Sequence, residues 1–309
     1  SESVTGLVCT IAGEATTMGG SGTSWTSTLT ITGGETEGAT SFSCGSHSDA
    51  AGNNGATDTT ADSGSVTIDY TVPTISSIAV TESGGSSVSS GGYGNTGTYS
   101  VVVTASEALD AAPTLTVGGG SVGSGSASNS DTVWTYTFTP TDADEAVTID
   151  VAAGAITDNA GNDNTAAATQ FAFTHDATTP TLSTIAMSTS GNTGYAKSGD
   201  TITLTITASE AVTGLTCTID GETATMGGSG TSWTAALTIS GDETAGAATF
   251  SCGSYSDAAG NAGSADTTAD SGSVTIDYSA PTLSTIAMST SGNTGYAKSG
   301  DTITLTITA

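Results

Sequence analysis

Four cysteines are the most reactive side chains of this sequence, and they form two pairs with equal spacing. Cys9 precedes Cys44 by 35 residues, and Cys217 precedes Cys252 by 35 residues. An even number of cysteines at a repeated spacing is typical of disulfide bonds in an oxidising compartment. Zinc binding is the alternative, although two cysteines without a Cys-x-x-Cys motif make a poor tetrahedral site. The pattern therefore favours one disulfide within each pair and an extracellular, secreted or cell-surface location.

A short acidic loop motif occurs three times, as SDAAGN at 48–53 and 256–261 and as TDNAGN at 157–162. An aspartate can bond to its own backbone and a glycine can adopt a positive φ, so the motif predicts a tight turn. A calcium site is the alternative, because loop carboxylates and carbonyls supply the several oxygen ligands that calcium requires. The candidate ligands are Asp49, Asp158 and Asp257.

Glutamates follow a serine at three equivalent positions, Glu2, Glu107 and Glu210. Two neighbouring carboxylates could act as acid and base in hydrolysis. No other residues of the sequence indicate a substrate cleft. We therefore expect that the protein is not an enzyme.

The charge balance is strongly acidic, with 30 Asp and Glu against 2 Lys and Arg and a formal net charge of −28. Nucleic acids and anionic membrane surfaces are bound through basic side chains. No apolar run is long enough to cross a bilayer. The composition thus predicts no nucleic-acid partner and no membrane insertion in this segment.

Internal repetition sets the domain organisation. Residues 281–309 are identical to residues 180–208, and the first residues, SESVTGLVCTIA, resemble the SEAVTGLTCTID that follows residue 208. The predicted units are 1–72, a repeat lacking its first two strands; 73–179, a complete repeat without cysteine; 180–280, a complete repeat with a disulfide; and 281–309, the first two strands of a further repeat.

Short alternating segments provide the strand signal. In residues 201–208, TITLTITA, apolar side chains alternate with threonine, which is the pattern of a half-buried strand. About seven such strands in about 100 residues predict an all-β protein of two-sheet sandwiches. In the repeat without cysteine, alignment places Leu115 and Ala153 at the cysteine positions, so we expect an apolar pair there.

The two incomplete units are complementary, because residues 281–309 supply the strands that residues 1–72 lack. Unpaired strand edges with an apolar face pair with another chain when they can. We therefore expect neighbouring copies to join head to tail, with Ala309 of one copy meeting Ser1 of the next. The join is either a peptide bond within one longer polypeptide or strand addition between separate subunits. The expected contact residues are Leu7, Cys9, Ile11, Ile303, Leu305 and Ile307.

The segments SEAVTGLTCTI, TDNAGNDNTAAA and HDATTPT resemble the bacterial immunoglobulin-like repeats of very large secreted adhesins and surface filaments. The resemblance implies tandem immunoglobulin-like sandwiches in a linear array. Some members of that group bind calcium at domain junctions, which adds Asp176 to the candidate ligands. The other two hinges depart from the pattern, since a tyrosine follows the aspartate in IDYTVPT and in IDYSAPT. His175, in the HDATTPT hinge, is expected to be exposed.

The sequence thus predicts a structural repeat segment of an extracellular fibre or giant adhesin shaft. The alternative is a calcium-dependent adhesive module that binds glycans or surfaces. On the first hypothesis the partners are neighbouring copies, and any cell-surface or glycan target lies elsewhere in the parent protein. No cofactor other than calcium is suggested.

Overall fold

The computed structural model describes residues 2–309 and contains only strands and turns over that range, with no helix. The described chain therefore has no helix that could span a membrane. Two compact units are present, Ser1–Ala177 and Thr178–Ala309. Ser1, where we expect a neighbouring copy to join, lies outside the described residues.

The first repeat consists of short strands in small antiparallel sheets. Its seven strands are β1 (Val8–Ile11), β2 (Glu14–Ala15), β3 (Thr17–Ser21), β4 (Ser24–Thr28), β5 (Gly38–Ala39), β6 (Phe42–Gly45) and β7 (Thr67–Ile68). Strand β1 lies between β2 and β6, while β3 pairs with β4 and β5 pairs with β7.

The second repeat is a complete sandwich. Its strands are β8 (Ile75–Glu82), β9 (Ser87–Val88), β10 (Tyr93–Gly94), β11 (Tyr99–Ala105), β12 (Thr116–Gly118), β13 (Gly120–Val122), β14 (Ser126–Ser128), β15 (Val133–Pro140), β16 (Asp144–Asp150) and β17 (Phe171–Asp176). One sheet has the order β13-β15-β11-β8-β9, with β14 also on β15, and the other has the order β10-β17-β16-β12. Alternate residues of β11 point into the core. Tyr99, Phe138 and Phe173 pack there with ring centroids 5.0 to 6.3 Å apart.

The third repeat has nine strands. They are β18 (Leu182–Thr189), β19 (Tyr195–Ala196), β20 (Thr201–Val212), β21 (Thr216–Ile219), β22 (Glu222–Thr223), β23 (Thr225–Thr238), β24 (Gly246–Ala247), β25 (Phe250–Gly253) and β26 (Thr275–Ile276). The sheet orders are β18-β20-β23, β19-β26-β24 and β22-β21-β25. Ile202, Leu204, Ile206 and Ala208 of β20 are all buried, which confirms the alternation predicted for this segment.

The chain ends in a hairpin, which we call the terminal hairpin, made of β27 (Thr285–Thr290) and β28 (Ile303–Thr308). The two strands form a sheet of their own. Their sequence repeats that of β18 and the first half of β20, yet their apolar side chains are exposed. Leu305 is 50% exposed, whereas the same residue in the internal copy, Leu204, is 0% exposed.

The first repeat leaves exposed some apolar side chains that the third repeat buries. Strand β23 pairs with β20 as far as Thr238, whereas β4 ends at Thr28 and pairs only with β3, because no strand of the described first repeat takes the place of β20. Two apolar side chains that are buried in the third repeat remain open here. Ile31 is 46% exposed against 1% for Ile239, and Val66 is 67% exposed against 2% for Val274.

Each cysteine pair forms a disulfide bond, with Sγ–Sγ distances of 2.00 Å for Cys9–Cys44 and 2.04 Å for Cys217–Cys252. The bonds join directly opposed residues of β1 with β6 and of β21 with β25. No cysteine is free in the described chain.

The expected apolar pair of the second repeat is wrong in one member. Ala153 is exposed in a turn. Within the sheet, Val117 of β12 lies opposite Ile149 of β16, which is fully buried. Leu115 is half-buried against the core as expected, whereas Ala153 lies beyond the end of β16 and cannot face it across the sheet.

Candidate functional site

The most elaborate polar arrangement lies where the first repeat meets the second, at the segment 69–73 between β7 and β8. The side-chain amide of Asn162 donates to the backbone carbonyls of Asp69 at 3.1 Å and Thr71 at 3.4 Å. Asn162 is the last residue of the TDNAGN loop. The acidic loop of the second repeat therefore holds the connecting segment directly.

Each acidic loop forms the predicted turn. Asp158 Oδ1 accepts hydrogen bonds from the backbone N–H groups of Ala160 and Asn162 at 2.8 and 2.9 Å. Its Oδ2 accepts the side-chain amide of Asn162 at 2.9 Å. Burial opposes the charged form, yet these hydrogen bonds hold the pKa of Asp158 below its usual range. Asp49 and Asp257 accept the equivalent bonds from Asn53 and Asn261.

Three carboxylates converge at the same junction. One oxygen each from Asp69, Glu107 and Asp158 lies within 4.8 Å of the others. Glu107 Oε1 is buried and has no hydrogen-bond partner among residues 2–309. Burial, together with the negative charges of Asp69, Asp158 and Glu37, raises the pKa of Glu107. An ionised cluster of this kind is unfavourable unless a proton or a cation joins it.

The cluster fits a divalent cation. Calcium binds oxygen ligands at about 2.3–2.6 Å, so ligands on opposite sides of one ion are separated by just under about 5 Å. The three carboxylate oxygens satisfy that limit, and Glu107 offers an oxygen that nothing else engages. A cation held there would bridge the connecting segment at Asp69 to the second repeat at Glu107 and Asp158.

Three further predicted ligands lie outside this cluster. Asp257 lies in the second compact unit, with a carboxylate oxygen within 4.8 Å of one from Glu210. Asp176 ends β17, opposite Asp144 of β16. Asp49 belongs to no group of three potential ligands within the described residues.

Sequence reasoning did not assign Glu107 or Asp69 to a metal site. The sequence marks Glu107 only as a candidate acid or base, and the tyrosine after Asp69 departs from the pattern of the calcium-binding hinge. The available signal was periodicity, since a Ser-Glu pair and a hinge aspartate occur in each repeat. Only the folded chain shows that residues 69, 107 and 158 meet, because they lie on three separate segments.

The interposed tyrosine also has a clear role. Tyr70 Oη donates to Glu35 at 2.6 Å, and the Tyr70 backbone N–H donates to Glu37 at 2.7 Å. The bonds from Tyr70 and from the backbone of Thr32 lower the pKa of Glu35 to about 2. The equivalent bond in the third repeat joins Tyr278 to Glu243 at 3.0 Å. In both repeats the tyrosine fastens the segment after the last strand to an acidic turn.

His175 is not an exposed hinge residue. It is 3% exposed, and a hydrogen bond of 2.7 Å joins its Nδ1 to Tyr99 Oη in the core. The expectation was wrong because β17 extends through His175 to Asp176 and pairs with β16 along that length. Because successive side chains of a strand point to opposite faces of the sheet, the imidazole of His175 points into the core.

The residues expected to contact a neighbouring copy differ in exposure. Ile303, Leu305 and Ile307 are exposed, whereas Leu7 and Ile11 are half-buried. Cys9 is 3% exposed, contrary to the expectation of an open face, because it is bonded to Cys44 of the adjacent strand. The exposed large apolar side chains of the described first repeat are Val8, Ile31, Val66 and Val72.

Comparison with known proteins identifies the domain type. The model of the bacterial Ig-like domain family matches residues 69–175. Similar solved structures include Rst D1–D2 at 9% identity, covering 67% of this chain and 99% of that one, with a TM-score of 0.38. They also include the I9–I11 tandem of titin at 10% identity, covering 89% of each chain, with a TM-score of 0.28. Murine CEACAM1b is 11% identical, covers 65% of this chain and 99% of that one, and has a TM-score of 0.28.

No curated protein sequence matches the chain significantly. The all-β fold of short strands in packed sheets agrees with the family match. The expectation of an immunoglobulin-like fold is thereby confirmed. Residues 69–175 match the bacterial Ig-like domain family, and the described chain as a whole has an all-β, immunoglobulin-like sandwich fold.

Proposed function

We propose that this chain is a structural repeat segment of an extracellular fibre or adhesin shaft in which successive copies continue head to tail. One observation carries the proposal. The terminal hairpin exposes the apolar face that the identical segment, 182–206, buries in the third repeat. A complementary set of strands is available in the first repeat of another copy.

Burial of the apolar side chains of the terminal hairpin would contribute a large free energy for such a small element. Full burial of a leucine, isoleucine or methionine side chain contributes about 1.5–3 kcal/mol. Six such side chains of the hairpin region are exposed: Leu283, Ile286, Met288, Ile303, Leu305 and Ile307. In the third repeat their counterparts all belong to the core.

The junction of the first two repeats supports a load-carrying role. The connecting segment is held from one side by Glu35 and Glu37 and from the other by Asn162. A fastened connection limits bending between domains, as a shaft requires. The two disulfides support an extracellular location, where such bonds persist.

A tandem chain of two copies, with Ala309 followed directly by Ser1, tests the proposal. Its new junction should form an additional complete domain, so backbone amides of residues 303–308 in the first copy should exchange with deuterium far more slowly than in a single copy. The Leu305→Asp substitution in that copy should abolish the protection. The single copy is measured at a concentration at which sedimentation shows it to be monomeric. Equal exchange in the tandem chain and in the monomeric single copy would contradict head-to-tail continuation.

A second candidate, a calcium-dependent adhesive module, is favoured by the unpartnered oxygen of Glu107. Calcium bound by Asp69, Glu107 and Asp158 would stabilise the junction by binding only the folded state. Recognition of a glycan or surface would then depend on the calcium-loaded form. Calcium should raise the melting temperature of the unit Ser1–Ala177, and a chelator should reverse the increase.

The Glu107→Gln variant distinguishes a junction that binds calcium from one in which the acidic loop only forms a turn. The variant should lose the calcium response, while Glu14→Gln, which neutralises an exposed carboxylate of β2, should retain it. Without calcium, Glu107→Gln should be at least as stable as the parent at neutral pH, because burial and neighbouring charges disfavour ionised Glu107. If the melting temperature were the same in excess chelator as in saturating calcium, forming a turn would be the only role left for Asp158.

A further inference from the structure

The third repeat shows which residues of the terminal hairpin and of the first repeat would meet in a contact between copies. We infer that the hairpin of one chain adds to the first repeat of a second, separate copy of this chain, with β28 pairing antiparallel to β4. This inference rests on the proposed head-to-tail function and specifies its partner and register. The third repeat supplies the template, because both halves of the contact occur there within one chain.

The register follows from sequence equivalence. In the third repeat, Thr205 of β20 lies opposite Thr234 of β23. Thr306 occupies the position of Thr205 in the hairpin copy, and Thr26 occupies the position of Thr234 in the first repeat. Thr306 of one chain should therefore lie opposite Thr26 of the other. The same shift places Ile307 opposite Trp25 and Ile303 opposite Leu29.

Strand β4 has room for this addition. It pairs with β3 on one side, and no strand of the described chain occupies its other side. Thr26 and Thr306 are both exposed, as are their templates Thr234 and Thr205. The addition would extend strand pairing past Thr28 and would cover Ile31, whose counterpart Ile239 is buried in the complete repeat.

A second contact gives the pairing specificity. In the third repeat, the backbone N–H of Ile185 donates to Asp270 Oδ2 at 2.7 Å, and the backbone N–H of Asp270 donates to the Ile185 carbonyl at 2.9 Å. The corresponding residues are Ile286 of the hairpin and Asp62 of the first repeat. Both are exposed in the single chain. Asp62 of the second copy should bind Ile286 through the same two hydrogen bonds.

The ADSGSVTIDY segment completes the contact. Tyr195 and Ala196 pair in parallel with Thr275 and Ile276 in the third repeat. Residues 61–70 repeat residues 269–278 without change, and Tyr296 and Ala297 repeat the other partner. Pairing of Tyr296 with Thr67 of the second copy would bring strand β7 against the hairpin. It would also cover Val66, which is 67% exposed in the single chain.

Disulfide trapping between two different proteins tests the register. One protein carries Thr26→Cys and the other carries Thr306→Cys, so a disulfide between them arises only between separate copies. Oxidation of the mixture should give a covalent dimer on non-reducing electrophoresis. A mixture with Thr28→Cys in place of Thr26→Cys, two residues out of register, should give at least about tenfold less, since a disulfide requires Cα atoms within about 7 Å.

The outcomes separate this inference from the proposed function. Equal yields for the two mixtures, or no trapping while light scattering reports oligomers, would overturn the register. Protection of the hairpin in a tandem chain without any trapping between separate chains would overturn strand addition between copies and leave head-to-tail continuation intact. Loss of protection in the tandem chain would overturn both.

Asp62→Ala provides an independent measurement. It removes the acceptor for Ile286 while leaving the apolar surfaces intact, so the dissociation constant between copies should rise about tenfold. Glu14→Ala, which removes one negative charge from an exposed site of the same repeat, is the matched control and should leave the constant unchanged. Equal effects of the two substitutions would exclude the Asp62 contact.

Discussion

The indole Nε1–H of Trp134 donates a hydrogen bond to the backbone carbonyl of Asp131 at 3.1 Å. The same bond occurs in the other two repeats, from Trp25 to Gly22 at 3.1 Å and from Trp233 to Gly230 at 2.9 Å. The acceptor residue is left-handed in all three, with φ of 60°, 69° and 64°. Two repeats use glycine there and the second uses aspartate, a residue that tolerates this conformation better than most.

Substitution of Gly230 should measure the conformational requirement directly. A Cβ atom at this position would meet nothing within 4 Å, so the effect of Gly230→Ala comes from the left-handed backbone alone. We expect destabilisation of the third repeat by about 1 kcal/mol. Gly230→Asp should be less destabilising, as the second repeat suggests. Urea unfolding measures both variants, and equal losses for alanine and aspartate would contradict the explanation.

Removal of the disulfide between Cys217 and Cys252 should have the largest effect on stability. A closed loop of this length contributes on the order of 4 kcal/mol by the chain-entropy model. The Cys217→Ala, Cys252→Ala double variant should therefore lower the unfolding temperature of the third repeat markedly. The second repeat has no cysteine and provides an internal control in the same calorimetric scan. A third-repeat transition that does not move would refute the expected contribution.

The stability of the third repeat should fall in acid because of Glu243. Burial opposes its ionisation, but backbone N–H groups of Ser240 and Gly241 and the Tyr278 hydroxyl lower its pKa from 4.5 to about 2. A carboxylate with a lowered pKa stabilises the fold above pH 4.5, and this contribution is lost as the pH falls towards 2. Glu243→Gln should therefore be less stable than the parent at pH 6, with the difference shrinking to nothing near pH 2.

Denaturant unfolding across that pH range is the appropriate measurement. The adjacent Asp242→Asn substitution is the control, because Asp242 is exposed and its substitution removes the same single negative charge. If the two variants showed the same pH dependence, general charge repulsion would account for the acid response better than the Tyr278–Glu243 contact would.

Association between copies should strengthen with salt. Each chain carries a formal net charge of −28, so copies repel each other over a Debye length that shrinks from about 30 Å at 0.01 M to about 8 Å at 0.15 M salt. Sedimentation should detect larger oligomers at 0.15 M than at 0.01 M sodium chloride. Leu305→Asp should remain monomeric in both, since it places a charge on the apolar face of β28. Weaker association at the higher salt would instead indicate a contact dominated by attraction between charges.

The alternation of apolar and polar residues predicted much of the fold, because the burial of a strand's side chains follows from the residues next to one another in the sequence. The alternation in residues 201–208 predicted which side chains of β20 are buried, since side chains of a strand point to opposite faces in turn. The same logic failed at Ala153, where an alignment without sheet register placed a turn residue in the core. It also failed at His175, because the composition of the hinge does not show how far β17 continues before the chain leaves the sheet.

The sequence by itself determined the internal repeats and the acidic charge, both of which follow from residue identity and spacing. Only the tertiary structure decided what those repeats bring together. Asp69, Glu107 and Asp158 converge because sheet pairing and Asn162 hold three distant segments at one junction. Two identical segments, 182–206 and 283–307, differ in burial because the apolar face of the first packs into the core of the third repeat, whereas in the described chain the same face of the second stays exposed.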